Sequence, residues 1–179
     1  MTIHLARHGQ TAYNHEGRFQ GHLPVPLDAT GREQAAALAE TAAGVEVVTL
    51  WCSPLRRARE TADVVAARIG LAPTEDARFA ETDTGDWTGR SFADVRVEDP
   101  DGFARFQRSD PSFRYPGGES FGEQSARVQA GLADLRARPS ALPALVVCHR
   151  GVIRLALTVA LGDAAAGARE IANASLVTL

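Results

Sequence analysis

The sequence predicts a single α/β domain built on a largely parallel sheet. Three observations carry this. Short apolar, β-branched runs alternate along the chain with stretches of helical periodicity. Most of those runs are bounded by glycine, proline or polar residues that break regular structure. The length of 179 residues fits one domain, and 45% hydrophobic with 23% charged residues is the balance of a globular chain with a sizeable core.

Residues 2–6 form a short apolar run that ends at Arg7-His8-Gly9, a strand and then a turn. Residues 31–43 are predicted helical, with Gln34, Ala35, Leu38 and Ala42 near helical spacing and Thr30 as the cap. Residues 45–51 are β-branched and apolar, a buried strand. Ser53 at the N-cap and Pro54 at the first helical position open a helix that Gly70 stops. Residues 78–81 are expected as a short strand before a loop holding Gly85 and Gly89.

The stretch 98–118 reads as irregular. Pro100, Pro111, Pro116, Gly102, Gly117 and Gly118 alternate there with Phe103, Phe106, Phe113 and Tyr115, which leaves both a lid and ordinary aromatic packing open. Residues 120–138 form a long amphipathic helix with Val128, Leu132 and Leu135 on one face. Residues 142–148 are a second buried strand that ends at His149, residues 152–161 a helix, and residues 175–179 a last strand. No internal repeat or linker interrupts the chain.

The formal net charge is −3, which gives no global attraction to nucleic acid or to an anionic membrane. All 19 basic residues are arginine. The absence of lysine excludes a Walker A loop, a Schiff base and a lysine general base. Cys52 and Cys148 lie far apart in apolar surroundings and read as free buried thiols. The N-terminus lacks the apolar core of a signal peptide, and no run approaches the about 18 apolar residues of a membrane span. A cytoplasmic location is the expectation.

Chemistry concentrates at the strand ends. His8 and His149, 141 positions apart, each directly follow an apolar strand, and each has an arginine beside it, Arg7 and Arg150. Ligands in open α/β sheets bind at the carboxyl ends of strands, so both histidines are expected at one edge. The segment Ser53-Pro54-Leu55-Arg56-Arg57-Ala58-Arg59 runs from a strand end into a helix start, where free N–H groups and the helix dipole favour an anion.

These residues match a known pattern. Arg7-His8-Gly9-Gln10-Thr11-Ala12-Tyr13-Asn14 resembles the R-H-G-[EQ]-[ST]-x-x-N signature of the histidine phosphatase superfamily, the phosphoglycerate mutase-like group. Gly17-Arg18-Phe19-Gln20-Gly21 is similar to its G-R-x-Q-G, and the run from Ser53 to Ala62 to its S-x-L-x-R-A-x-[QE]-T-A, which singles out Arg57. The run from Phe79 to Gly89, with Glu81 in its third place, Pro116-Gly117-Gly118-Glu119-Ser120, and Cys148-His149-Arg150-Gly151 resemble three further motifs in family order. Pro24, Thr88 and Arg150 depart from the commoner Asp, Glu and Gly, which bears on substrate preference rather than on catalysis.

The resemblance implies one histidine phosphatase domain over residues 1–179, within which 98–118 is the candidate lid segment read from its composition. It implies a three-layer α/β/α sandwich with a mostly parallel central sheet. It also implies a metal-independent phosphomonoesterase that hydrolyses a small phosphorylated metabolite through a phosphohistidine. His8 is then the nucleophile, its other ring nitrogen donating to a backbone carbonyl. Arg7 and Arg57 hold the phosphoryl oxygens, and His149, when protonated, adds a third positive group. Glu81 is the general acid, favoured over Asp83, and should be partly shielded from water. Asn14, Gln20 and Gly21 line the substrate pocket. No cofactor is expected, and no acidic cluster marks a metal site. The expected partner is the metabolite alone, without nucleic acid or membrane; a homodimer is left open. Two alternatives stand beside this: a cofactor-dependent phosphoglycerate mutase, usually a longer chain, and a phosphate-ligand binding module without turnover.

Overall fold

The computed structural model describes residues 2–110, 112–162 and 170–179; Pro111 of the irregular stretch lies outside them. Five strands form the sheet: β1 (Ile3–Arg7), β2 (Thr49–Cys52), β3 (Pro73–Glu75), β4 (Ala144–Cys148) and β5 (Leu176–Thr178). Their order is β3-β2-β4-β1-β5. The first four run parallel, and β5 pairs antiparallel with β1. The helices are α1 (Ala12–His15), α2 (Ala29–Ala43), α3 (Arg56–Ile69), α4 (Phe92–Glu98), α5 (Pro100–Gln107), α6 (Phe121–Arg136) and α7 (Arg150–Leu161).

Side chains alternate across a strand, so each buried strand feeds two cores. Leu5, Val146 and Cys148 pack with Val128, Leu132, Ile153 and Leu157 of α6 and α7 on one face. Ala6, Leu145 and Val147 pack with Leu38, Ala42, Ala58 and Val65 of α2 and α3 on the other. Helices on both faces of one sheet make the predicted three-layer α/β/α sandwich. Full burial of each such aliphatic side chain contributes roughly 1.5–3 kcal/mol.

Several local readings are corrected by side-chain hydrogen bonds. Asp28, not Thr30, caps α2, because its carboxylate accepts the Gly31 N–H at 2.7 Å and starts the helix at Ala29. Ser53 does not cap α3; the N-cap is Leu55, and the Ser53 hydroxyl accepts the Leu55 N–H instead. Residues 78–81 are not a strand. Asp76 accepts the Arg78 N–H, winding Ala77–Phe79 into a 3-10 turn, while Pro73–Glu75 just before it pairs with β2. The strand expected from residue 45 begins at Thr49.

The stretch 98–118 is more regular than its composition indicates. Asp99 caps α5 with Pro100 in the first turn, and the aromatics pack. Phe103, Phe113 and Tyr115 are buried with Phe19, Trp87 and Val95 in a third cluster, joined by Phe106 and Phe121.

Candidate active site

The register of β1 on β4 builds the site. Arg7 lies opposite Cys148, and the His8 N–H donates to the Cys148 carbonyl at 3.0 Å. Both strands end there, so His8 and His149 meet at the carboxyl edge with ring centroids 5.1 Å apart. Their exposures are 2% and 0%.

His8 has a defined tautomer. Its Nδ1 lies 2.7 Å from the Gly9 carbonyl, which can only accept, so Nδ1 carries the proton. Nε2 is left with its lone pair, and Arg57 donates Nε–H to it at 3.3 Å. Burial first, then the charges of Arg57 and Arg7, hold the His8 pKa well below the usual imidazole value.

Arg57 faces the site, and the two arginines beside it in the same helix face solvent-side carboxylates. Arg57 is 1% exposed and donates to the carbonyls of Gly21 at 3.0 Å and Leu23 at 3.3 Å. Arg56 pairs with Glu60, and Arg59 with Asp63. Arg7 donates to the Ile171 carbonyl at 2.8 Å. Burial pushes both site arginines down to about 10, Arg7 also through the neighbouring Arg150 charge. Each remains a cation at neutral pH.

Burial, then the Arg57 and His8 charges, hold the His149 pKa well below the usual imidazole value in the ligand-free protein. Its Nε2 is hydrogen-bonded to Ser53 Oγ at 2.7 Å. Its Nδ1 and the Nε of Arg7 are the buried side-chain polar atoms without a partner among the described residues. Unpaired buried polar atoms are costly, and both lie at this edge.

Glu81 is half-buried, and its two oxygens differ. Oε1 accepts the Thr82 N–H at 3.0 Å and the Gln124 amide at 3.3 Å, while Oε2 has only the Gly151 N–H at 3.5 Å. Gly151 leaves room for this carboxylate: a Cβ at that position would stand 2.4 Å from Glu81 Oε1 and displace it. The loop after Glu81 turns at Gly85, whose φ of +48° and close approach to the Pro116 carbonyl suit only glycine. Asp83, the rival acid, accepts the Gly85 N–H with Oδ1 at 3.0 Å.

The predicted substrate residues gather around the same edge, mainly as supports. Asn14 closes a capping box with Thr11 through its Oδ1, which also accepts from Asn173. Gln20 Oε1 accepts from Thr11, and the Gly21 carbonyl holds Arg57. Sequence reasoning missed Asn173, whose amide donates to the His8 carbonyl at 3.1 Å, as well as Thr11, Ser53 and Gln124. His22 has no motif role, yet it donates to the Glu81 carbonyl at 2.8 Å. Beside it a cavity of about 590 Å³ opens, lined by His22, Pro54, Ala80, Asp83 and Arg127.

Among the described residues no group of three or more His, Cys, Asp and Glu side chains is arranged to hold a metal ion. No helix there is long and apolar enough to cross a membrane.

Comparison with known proteins agrees with this architecture. The family model described as histidine phosphatase superfamily (branch 1) matches residues 3–179. The sequence is 35% identical over 150 residues to the "Probable phosphoglycerate mutase GpmB" of Salmonella choleraesuis, covering 83% of this chain and 69% of that protein. A mycobacterial glucosyl-3-phosphoglycerate phosphatase, solved with VO3, superposes with a TM-score of 0.87 at 32% identity, over 99% of this chain and 90% of that one. The alpha-ribazole phosphatase of Shigella flexneri gives a TM-score of 0.87 at 29% identity, over 99% and 89%.

Proposed function

The chain belongs to the histidine phosphatase superfamily, branch 1, and we propose that it is a metal-independent phosphomonoesterase acting on a small phosphorylated metabolite through a phosphohistidine. The observation that carries this is the His8 tautomer: Nδ1–H fixed on the Gly9 carbonyl, Nε2 bare and facing Arg57. A buried neutral imidazole with one oriented lone pair is a nucleophile that needs no base.

In the first step the Nε2 lone pair attacks phosphorus, in line with the ester bond that breaks. Arg7 and Arg57 neutralise the phosphoryl oxygens with forked donors. We assign the Ser53 hydroxyl, which also accepts the Leu55 N–H, as the donor to His149 Nε2, which puts the ring proton on Nδ1. His149 Nδ1–H then meets a phosphoryl oxygen. Glu81, its Oε1 held by Thr82 and Gln124, delivers a proton from Oε2 to the leaving alkoxide. In the second step Glu81 takes a proton from water, the oxygen attacks phosphorus, and the P–N bond breaks to release phosphate and free His8. Asn14, Gln20 and Gly21 hold the pocket wall. The fixed arginine charge supplies the electrostatic role that a divalent cation fills elsewhere. We read the chain as one cytoplasmic domain.

The test is hydrolysis of p-nitrophenyl phosphate. Turnover that survives EDTA supports the reading. Loss with recovery on adding magnesium contradicts the metal independence, and absence of turnover under both conditions favours a binding module.

A mutase is the second reading, favoured by the name of the Salmonella relative. Incubating 3-phosphoglycerate with and without 2,3-bisphosphoglycerate separates the two. Phosphate release without the bisphosphate marks the phosphatase; isomerisation dependent on it marks the mutase.

A further inference from the structure

Arg150 has no role in the mechanism above, and its surroundings are unusual. It is the first residue of α7, directly after His149, and it is exposed. The next residue, Gly151, touches the Glu81 carboxylate. A cavity of about 410 Å³ beside the phosphoryl pocket is lined by Arg7, Arg150, Gln34, Glu170 and Asn173, with Ile171 and Ala172. Two guanidinium groups therefore face one space, and the Arg150 charge weighs on Arg7.

Several surface arginines are neutralised: exposed Arg56, Arg68 and Arg114 and half-buried Arg78 each pair with a carboxylate. The Arg150 side chain makes no hydrogen bond or ion pair among the described residues, and the Glu170 carboxylate in the same lining lies beyond ion-pair distance of it. The cavity on the other side of Glu81 differs in this respect. Its Arg127 is held by Glu119 at 2.7 Å, and its Glu123 by Arg114 at 2.6 Å, so its cation is already satisfied. An unpaired guanidinium next to a second one is stabilised by an anion, and a carboxylate fits its fork.

We propose that Arg150 forms a second anion subsite beside the phosphoryl pocket and selects phosphomonoesters whose leaving alcohol carries a carboxylate. This rests on the phosphatase reading. The leaving oxygen lies at Glu81, whose Oε2 is next to Gly151 N, so a short leaving group that extends along the start of α7 brings a carboxylate to Arg150. Asn173 and Gln34 border the same space with polar side chains, and Glu170 opposes the anion.

The experiment compares two esters that share a primary leaving alcohol. One is 3-phosphoglycerate, which has the carboxylate; the other is glycerol 3-phosphate, which lacks it. The kcat/KM ratio of the first over the second is measured for the native protein, Arg150→Ala and Glu170→Gln, with p-nitrophenyl phosphate as the turnover control. Arg150→Ala should lower the ratio about tenfold, mainly through KM, as expected for one charge-assisted hydrogen bond. Glu170→Gln should raise it. An unchanged ratio in Arg150→Ala with p-nitrophenyl phosphate still hydrolysed overturns this inference alone. A lowered ratio in Glu170→Gln overturns it in favour of a zwitterionic ligand. Native protein that does not hydrolyse p-nitrophenyl phosphate overturns the phosphatase reading and this inference with it.

Discussion

Arg57 donates its Nε–H to Nε2 of His8 across 3.3 Å, and both side chains are buried. A cation against the lone pair keeps a second proton off the ring. The same cation stands where the phosphoryl group has to arrive, so one residue both holds the nucleophile neutral and waits for the substrate charge. Arg57 is itself held by the Gly21 and Leu23 carbonyls, which ties this pair to the pocket wall.

That burial makes folding depend on pH. His8 and His149 have folded pKa values below the ordinary 6.5, so the unfolded chain binds more protons than the folded one as pH falls through that value. Their contribution to stability is full above the unfolded pKa and declines on the acid side until the folded values are reached. Thermal unfolding followed at about pH 7.5 and about pH 5 should give a lower Tm in acid. His8→Asn and His149→Asn should each reduce that difference. A difference unaltered by both substitutions would show that these imidazoles do not carry it.

Glu81→Gln should slow esters with alkoxide leaving groups by roughly 10²–10⁴-fold and p-nitrophenyl phosphate much less, because p-nitrophenolate leaves without a proton. Gln124→Leu should show the same pattern more weakly, since the buried Gln124 amide holds Glu81 Oε1. Equal losses on both leaving-group classes in Glu81→Gln would move the acid role to Asp83 or to water.

Phe113 is 2% exposed, against Trp87, Tyr115 and Phe121 with ring centroids 5.4, 5.0 and 5.5 Å away. Phe113→Ala should destabilise the fold by about 3–5 kcal/mol. Its effect on relative kcat/KM between substrates should be small, because the ring packs in the aromatic cluster. A large shift in substrate ratio with little loss in chemical denaturation would return specificity to the 98–118 stretch. Arg114, in the same stretch, pairs with Glu123 at the surface.

The histidine pair is legible in the sequence because each imidazole directly follows an apolar strand, and strand ends in a parallel sheet share one edge. Arg57 is legible only through its motif; periodicity alone does not choose among Arg56, Arg57 and Arg59. The supports are hidden for physical reasons. Gln124 lies within α6, Asn173 in the turn before β5, and Ser53 looks like a helix cap, yet all three act across long sequence separations. The strand order and the antiparallel β5 depend on tertiary pairing that alternation along one strand does not encode. The lowered pKa of His149 follows from burial and then the Arg57 charge, which come together only once the chain is folded.

The covalent step is tested most directly by rapid acid-free quenching of the protein during turnover of a radiolabelled phosphomonoester. The account predicts acid-labile, base-stable label on His8, absent from His8→Ala, whose turnover should fall by at least about 10³-fold. Label on His149, or full turnover in His8→Ala, would contradict it.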